Sequence, residues 1–380
     1  MAHHDNPFRP GTGQFPAYWS GRRTALDAYR AAITSDASGI GVEGRMLLVT
    51  GPRASGRTSL LTALANLATD CGWTRLHVPG RDGDLADLVE NRIPDTLDHL
   101  STPDSGAGTG EDFAGPHPGL LITVDDLDEF PVSDLTDLTA ALTDLVRDLA
   151  PLPVVHPASD TDADGADSRP ATGPHDRPRD DGHAGAPVSF LATPGAMALQ
   201  DHQHYQITPF RQRDATALLS RTAAGSLPFT PDAAEWAASA SYGHPYLLQL
   251  IGSLSWDAAR TARRERITTE IVDDAIDLAI PMFGARVHQP ALAPLTHAQL
   301  EFLHAMCTVI EEQGSDAAVP RVRTSEIAAE LDRPVTSVSA VRADLLHRDI
   351  IYSPAWGKLS FRLPYLREYL DSPDSPLEVY

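Results

Sequence analysis

Gly51, Gly56 and Thr58 stand at the spacing of a loop that wraps a polyphosphate. Residues 47–62 read Leu-Leu-Val-Thr-Gly-Pro-Arg-Ala-Ser-Gly-Arg-Thr-Ser-Leu-Leu-Thr: an apolar strand, a glycine-bracketed turn, then the start of an amphipathic helix. The run matches G-x-x-x-x-G-K-[ST] at every fixed position but one, where Arg57 replaces lysine. The two glycines let the loop Gly51, Pro52, Arg53, Ala54, Ser55 and Gly56 turn its N–H groups inward, where they can bind phosphate oxygens. The helix that continues through Arg57, Thr58 and Ser59 adds its positive end. The Thr58 hydroxyl is the expected ligand for Mg²⁺. Arg57 keeps the charge of the usual lysine but is longer, planar and forked. The substitution weakens the case for hydrolysis more than the case for binding.

A second acidic position supports this reading. Asp125 ends the apolar run Leu120-Leu121-Ile122-Thr123-Val124, where a carboxylate can hold the water shell of the metal. Asp126 follows at the place of the residue that positions an attacking water, one methylene shorter than the usual glutamate. Asp128 and Glu129 are nearby alternatives. Thr193, at the end of a later strand, stands where a polar residue could sense the γ-phosphate, but reads rather as a turn residue before Pro194. Gly243-His244-Pro245 opens a helix facing the nucleotide, with Pro245 near its first turn. Nothing selects Arg211 or Arg213 as a finger toward a neighbour.

These residues need a scaffold of alternating strands and helices. The pattern predicts helix 23–36, strand 46–50, helix 57–70, strand 74–78, helix 83–100, strand 120–124, a leucine-striped helix 133–150, strand 188–193 and a last strand at 205–207. Such alternation implies βαβ units around a parallel sheet. Residues 1–22 read as an irregular leader and 101–118 as a loop. Residues 156–186 hold seven Asp and three Arg, with no Leu, Ile, Val or aromatic residue. They cannot bury enough apolar surface to offset their ordering entropy and read as a disordered acidic insertion.

Helices follow at 211–224, 231–241, 244–264 and 268–280, a helical lid. Three further helices come next, the first opened by a Thr296/Gln299 capping box and the second capped by Thr324. A ribbon with Leu359, Phe361 and Leu363 on one face closes the set after a Trp356-Gly357 turn. Three helices and a two-stranded ribbon describe a winged helix. The expected division is 1–210, 211–290 and 291–380.

Bulk properties narrow the partners. The 380 residues carry a net charge of −22, which disfavours non-specific attraction to nucleic acid or an anionic membrane. No apolar run is long enough to span a bilayer. The two cysteines, Cys71 and Cys307, have no metal spacing, and no signal segment is visible, so a cytoplasmic protein is expected. The fifteen histidines read as scattered and solvated. If the winged helix meets DNA, helix 335–347 enters the major groove with Thr336, Ser337 and Ala340 outward, Arg342 on its flank, and Trp356 and Lys358 on the wing. Residues 290–380 hold eight Lys and Arg against thirteen Asp and Glu, a thin basic set for phosphate contact. Arg321, Arg323 and Arg333 are the cations to test. A protein contact, or locking of the ATPase domain, is the competing use of this module; a protein partner or a homo-oligomer is the expectation for the chain as a whole.

Asn6-Pro7-Phe8-Arg9-Pro10 with Ser20-Gly21-Arg22, Gly51–Thr58, Leu120–Asp126, Gly243-His244-Pro245-Tyr246-Leu247-Leu248-Gln249 and Leu363–Leu370 occur in the order seen in a group of bacterial ATP-binding proteins. The chain resembles AAA/STAND-type ATPases related to origin-recognition proteins, with a C-terminal winged helix. The resemblance implies an α/β P-loop NTPase domain with a five-stranded parallel sheet, an α-helical lid, ATP with Mg²⁺ as ligand, and a nucleotide-driven switch. It also implies that Gly21 and Arg22 lie near the adenine.

Overall fold

The computed structural model describes residues 5–11, 18, 21–34, 46–80, 83–101, 119–127, 130–147, 188–193, 203–314 and 320–372. The acidic stretch 156–186, the loop beyond Ser101, and Asp128 and Glu129 lie outside the described residues. The chain divides into two compact units. Thr24–Thr50 and Leu61–Tyr205 form a sheet unit; Met1–Arg23, Gly51–Leu60 and Gln206–Tyr380 form a loop–lid unit.

In chain order the first elements are α1 (Arg23–Thr34), β1 (Met46–Thr50), α2 (Arg57–Asp70), β2 (Thr74–Val78) and α3 (Leu85–Asp87). A π-turn, Leu88–Arg92, joins α3 to α4 (Ile93–Ser101). Then come β3 (Leu120–Val124), α5 (Val132–Arg147), β4 (Val188–Ala192) and β5 (Gln203–Gln206). The strands make a five-stranded parallel sheet in the order β2-β3-β4-β1-β5. Leu120 pairs with Thr74 on one side and Val188 on the other, and Met46 pairs with Phe190. Every residue of β3 is buried, as expected for a central parallel strand covered on both faces. Leu120, Ile122 and Val124 pack with Leu88, Leu138, Leu142 and Phe190 in one core. The last strand begins two residues and ends one residue earlier than the run 205–207 predicted.

The loop–lid unit contains α6 (Gln212–Ala223), α7 (Pro231–Ala240), α8 (Pro245–Thr261) and α9 (Thr269–Phe283). Pro281 lies inside α9, which passes into a π-turn at Gly284–His288 and then into α10 (Gln289–Leu292). A proline removes one rung of the helical ladder, so widening near it is expected. The remaining elements are α11 (His297–Glu312), β6 (Val322–Arg323), α12 (Thr324–Glu330), α13 (Val335–His347), β7 (Ile351–Ala355), β8 (Lys358–Phe361) and α14 (Leu366–Leu370). One hydrophobic cluster runs through this unit from Phe8 and Leu218 to Leu363 and Leu370.

The Thr296/Gln299 capping box forms as expected, with the Gln299 side chain accepting from the Thr296 N–H at 2.8 Å. Thr324 does not cap α12 but begins it. Glu326 accepts the Arg323 N–H at 2.7 Å instead, closing the helix start from the third position. The terminal ribbon gains a third strand, in the order β6-β8-β7. At two residues β6 is too short to show alternation, which is why the sequence pattern hides it. The leader has no regular structure at residues 5–11, as expected, but it is anchored there. Asn6 donates to the Ser253 carbonyl and hydroxyl at 3.1 and 3.0 Å, and Phe8 meets Phe229 edge-on at 6.1 Å. No helix among the described residues is long and apolar enough to cross a membrane.

Candidate functional site

The glycine-bracketed loop follows β1. Gly51 and Gly56 have φ of +154° and +91°, and a Cβ on Gly51 would come within 3.0 Å of Ile207. The Ser55 N–H closes a turn onto the Pro52 carbonyl at 3.2 Å, and the Leu60 N–H starts α2 by bonding Gly56 at 2.9 Å. Ala54 has φ of +57°, a left-handed conformation that costs a non-glycine residue roughly 1 kcal/mol. Left-handed steps within a turn are what gather backbone N–H groups into an anion-binding concavity.

A cleft opens beside this loop within the loop–lid unit. Ala54, Ser55, Gly56 and Ser59 line it from the loop and first turn of α2, and Arg9, Pro10, Tyr18 and Arg22 from the leader. Phe210, Pro245, Tyr246 and Gln249 line it from the lid. Ala54, Ser55, Gly56, Ser59, Arg22 and Pro245 are thus brought together as expected. Gly21 sits behind them, its φ of +66° turning the chain over the Phe210 ring. Gly51, Pro52, Arg53, Arg57 and Thr58 do not line the cleft; Arg57 and Thr58 are half-buried at the start of α2. The Arg22 guanidinium lies over Phe210 at 4.8 Å and donates to the Thr208 carbonyl at 2.7 Å.

Two lining side chains present unsatisfied polar atoms. The Ser55 hydroxyl and the Gln249 amide nitrogen are buried with no hydrogen-bond partner among the described residues. Gln249 Oε1 accepts the Arg9 N–H at 3.1 Å, which fixes the flip of the amide and leaves its donor end unmatched. A buried donor without a partner costs about 1–3 kcal/mol, so a ligand acceptor at these atoms is favoured. Gln249 lies in a helix whose opening the sequence flagged, but its role depends on a leader 240 residues away, and no local pattern carries that.

His244 corrects the reading of the histidines as solvated. It caps α8 and is buried. Nε2 lies 3.1 Å from the Arg53 carbonyl of the loop, while Nδ1 accepts the Leu247 N–H at 3.4 Å. A carbonyl can only accept and an N–H can only donate, so the ring carries its proton on Nε2. Burial pushes this imidazole down to about 4, opposed by the bond to Arg53. Phe283 meets the His244 ring edge-on at 4.9 Å and the His288 ring likewise at 4.9 Å. His288 is also buried, bonds the Pro364 carbonyl through Nε2 at 2.8 Å, and is held down to about 4 chiefly by burial. Gly243 has φ of +70°, and a Cβ there would lie 2.2 Å from the Phe210 carbonyl.

The sheet unit holds the acidic positions. Asp125 is buried at the end of β3. Thr193, expected as a turn residue, is fully buried and donates its hydroxyl to Asp125 Oδ1. The same hydroxyl accepts the Asp126 N–H at 2.6 Å. Asp126 is half-buried at φ +45°. Thr193 therefore holds both acidic residues, with the β3–β4 pairing setting its place. Among the described residues no three His, Cys, Asp or Glu side chains converge on a metal position.

The cations of the C-terminal module are partly engaged. Arg333 bonds Glu301 at 3.1 Å and Arg362 bonds Asp349 at 3.4 Å. Thr336, Ser337 and Ala340 are exposed on α13, and Trp356 is fully exposed at the β7–β8 turn.

Comparison with known proteins adds the following. A family described as Domain of unknown function (DUF8462) matches residues 285–370. No curated protein matches the chain. Among solved structures, the chain is similar to the Aeropyrum pernix ORC2 protein in its ADPNP–ADP complexes, with 12% identity, a TM-score of 0.59, and coverage of 95% of this chain and 96% of that one. It is also similar to the Thermotoga maritima RuvB Holliday junction branch migration motor, with 14% identity, a TM-score of 0.44, and coverage of 93% and 95%. At this identity the ORC2 likeness speaks for the fold alone: the chain has an α/β P-loop NTPase fold like that of the ORC2 protein.

Proposed function

We propose that this protein binds ATP with Mg²⁺ and acts as a slow ATPase, a nucleotide-dependent switch whose output is a C-terminal winged helix. The observation that carries the reading is the cleft beside the glycine-bracketed loop, with the Ser55 hydroxyl and the Gln249 amide buried and unmatched in its wall. The loop N–H groups and the positive start of α2 take phosphate, and Arg57 supplies charge. Arg22 and Phe210 offer a flat cationic surface to a base.

The Thr58 hydroxyl and the Asp125 carboxylate are the oxygen donors proposed for Mg²⁺, hard ligands suited to that ion when phosphate and water complete its shell. They belong to different units, so each is tested on its own by substitution. The magnesium would neutralise charge on the phosphates. Asp126 is proposed to orient the attacking water. Titration with an ATP analogue and Mg²⁺, with phosphate release followed separately, tests the reading. Wild type is expected to bind and to turn over slowly, and Arg57→Ala to bind weakly. Absence of binding in both ends the proposal.

Arg57 and Asp126 also favour a second reading, a nucleotide-stabilised regulator without turnover. Restored hydrolysis in Arg57→Lys/Asp126→Glu from a silent parent would support it. For the output module, the acidic balance and the engagement of Arg333 by Glu301 favour a protein contact over duplex DNA. Salt-dependent binding to duplex DNA would reverse that preference.

A further inference from the structure

We propose that His244 is a positioning residue that presets the phosphate loop, its Nε2–H holding the Arg53 carbonyl from the lid. This rests on reading the cleft as a nucleotide site. A trans peptide carries its C=O and N–H on opposite sides. Fixing the Arg53 carbonyl toward His244 therefore turns the Ala54 N–H away from the ring, and Ala54 is itself part of the cleft wall. The left-handed Ala54 would relax toward an ordinary conformation unless something held that peptide. His244 is suited to the task because it cannot swing away. Nδ1 is committed to the Leu247 N–H, the ring is buried, and Phe283 closes one side. The helix cap and the loop clamp are thus one imidazole, so the start of α8 and the loop keep a common register. A first ligand that fits the loop then meets donors already aimed, which lowers the ordering cost of binding.

Three variants separate this role from capping and packing. His244→Asn keeps a cap acceptor for Leu247 but is too short to reach Arg53. His244→Phe keeps the ring against Phe283 and loses both hydrogen bonds. His244→Gln offers a donor at about the reach of Nε2. Affinity for a fluorescent ATP analogue is expected to fall about tenfold in Asn and Phe, the size of one net hydrogen bond to a buried carbonyl, and to recover in Gln. Folded Asn and Phe variants that bind within about twofold of wild type would overturn the inference while leaving the nucleotide site intact. Wild-type protein that binds no nucleotide would remove the site reading and this inference together. Should the variants fail to fold, the imidazole ¹⁵N spectrum of the nucleotide-free wild type decides: a proton on Nε2 is expected, and a proton on Nδ1 overturns the clamp.

Discussion

The loop–lid unit and the sheet unit each hold a polar constellation stitched by one side chain, and they solve the problem with different chemistry. In the sheet unit, Thr193 binds Asp125 and the Asp126 N–H. A hydroxyl both donates and accepts, so one small neutral group organises a buried carboxylate and a left-handed backbone without titrating. In the loop–lid unit, His244 and His288 tie helices to the Arg53 and Pro364 carbonyls. The His244 imidazole both donates and accepts, but only while neutral, whereas His288 bonds through Nε2 alone. The sheet unit's constellation is therefore expected to tolerate mild acid, and the loop–lid unit's to fail in it.

Acid titration gives the largest test of that contrast. Both buried imidazoles sit at about 4 in the folded chain, against about 6.5 when unfolded. Between those values the unfolded chain binds protons that the folded one refuses, so stability rises with pH. It is complete above about 6.5 and is lost as pH falls toward 4, by at most roughly 3 kcal/mol per histidine. His77, in the sheet unit, is shifted the same way chiefly by burial, but it is exposed and its share is smaller. Urea melts from pH 7 to 5 followed by hydrogen exchange should show the loop–lid unit weakening first; equal loss in both units would erase the distinction.

Gly243→Ala comes next. The new methyl would meet the Phe210 backbone at a left-handed φ, and a loss of about 3 kcal/mol is expected by denaturant unfolding. Thr193→Val keeps the volume and removes the hydroxyl. A loss of about 2 kcal/mol is expected, because the buried Asp125 carboxylate loses a donor and the Asp126 N–H keeps only its longer bond to Asp125 Oδ1 at 3.2 Å. Arg333→Gln should cost the least, under about 1 kcal/mol, since its pair with Glu301 is largely solvated; a larger loss would mean that the pair bridges α11 and the α12–α13 turn structurally.

Most of the scaffold was legible in the sequence because its signals are local. β1, β3, α2 and the Thr296/Gln299 cap follow from apolar runs, helical spacing and one capping pattern within a few residues. Ala54, Ser55, Gly56 and Ser59 in the cleft were legible for the same reason, through the loop motif, while Arg22 came from the resemblance and Pro245 from its place at a helix start. Thr193, His244, His288 and Gln249 were not assigned these roles. Each acts on a partner far along the chain, 68 residues for Thr193 and Asp125, 191 for His244 and Arg53. A polar residue at a strand end or helix start looks alike whether it meets water or a distant carbonyl, so burial had to be seen.

Trp356 stands at the β7–β8 turn with its indole wholly in solvent, while Trp73 and Trp256 are enclosed. The turn thus carries its own dye. Iodide should quench that indole more strongly than the less exposed Trp236, and any macromolecule that settles over the turn should shield it and shift its emission to the blue. The turn can be watched in this way without attaching a label to it.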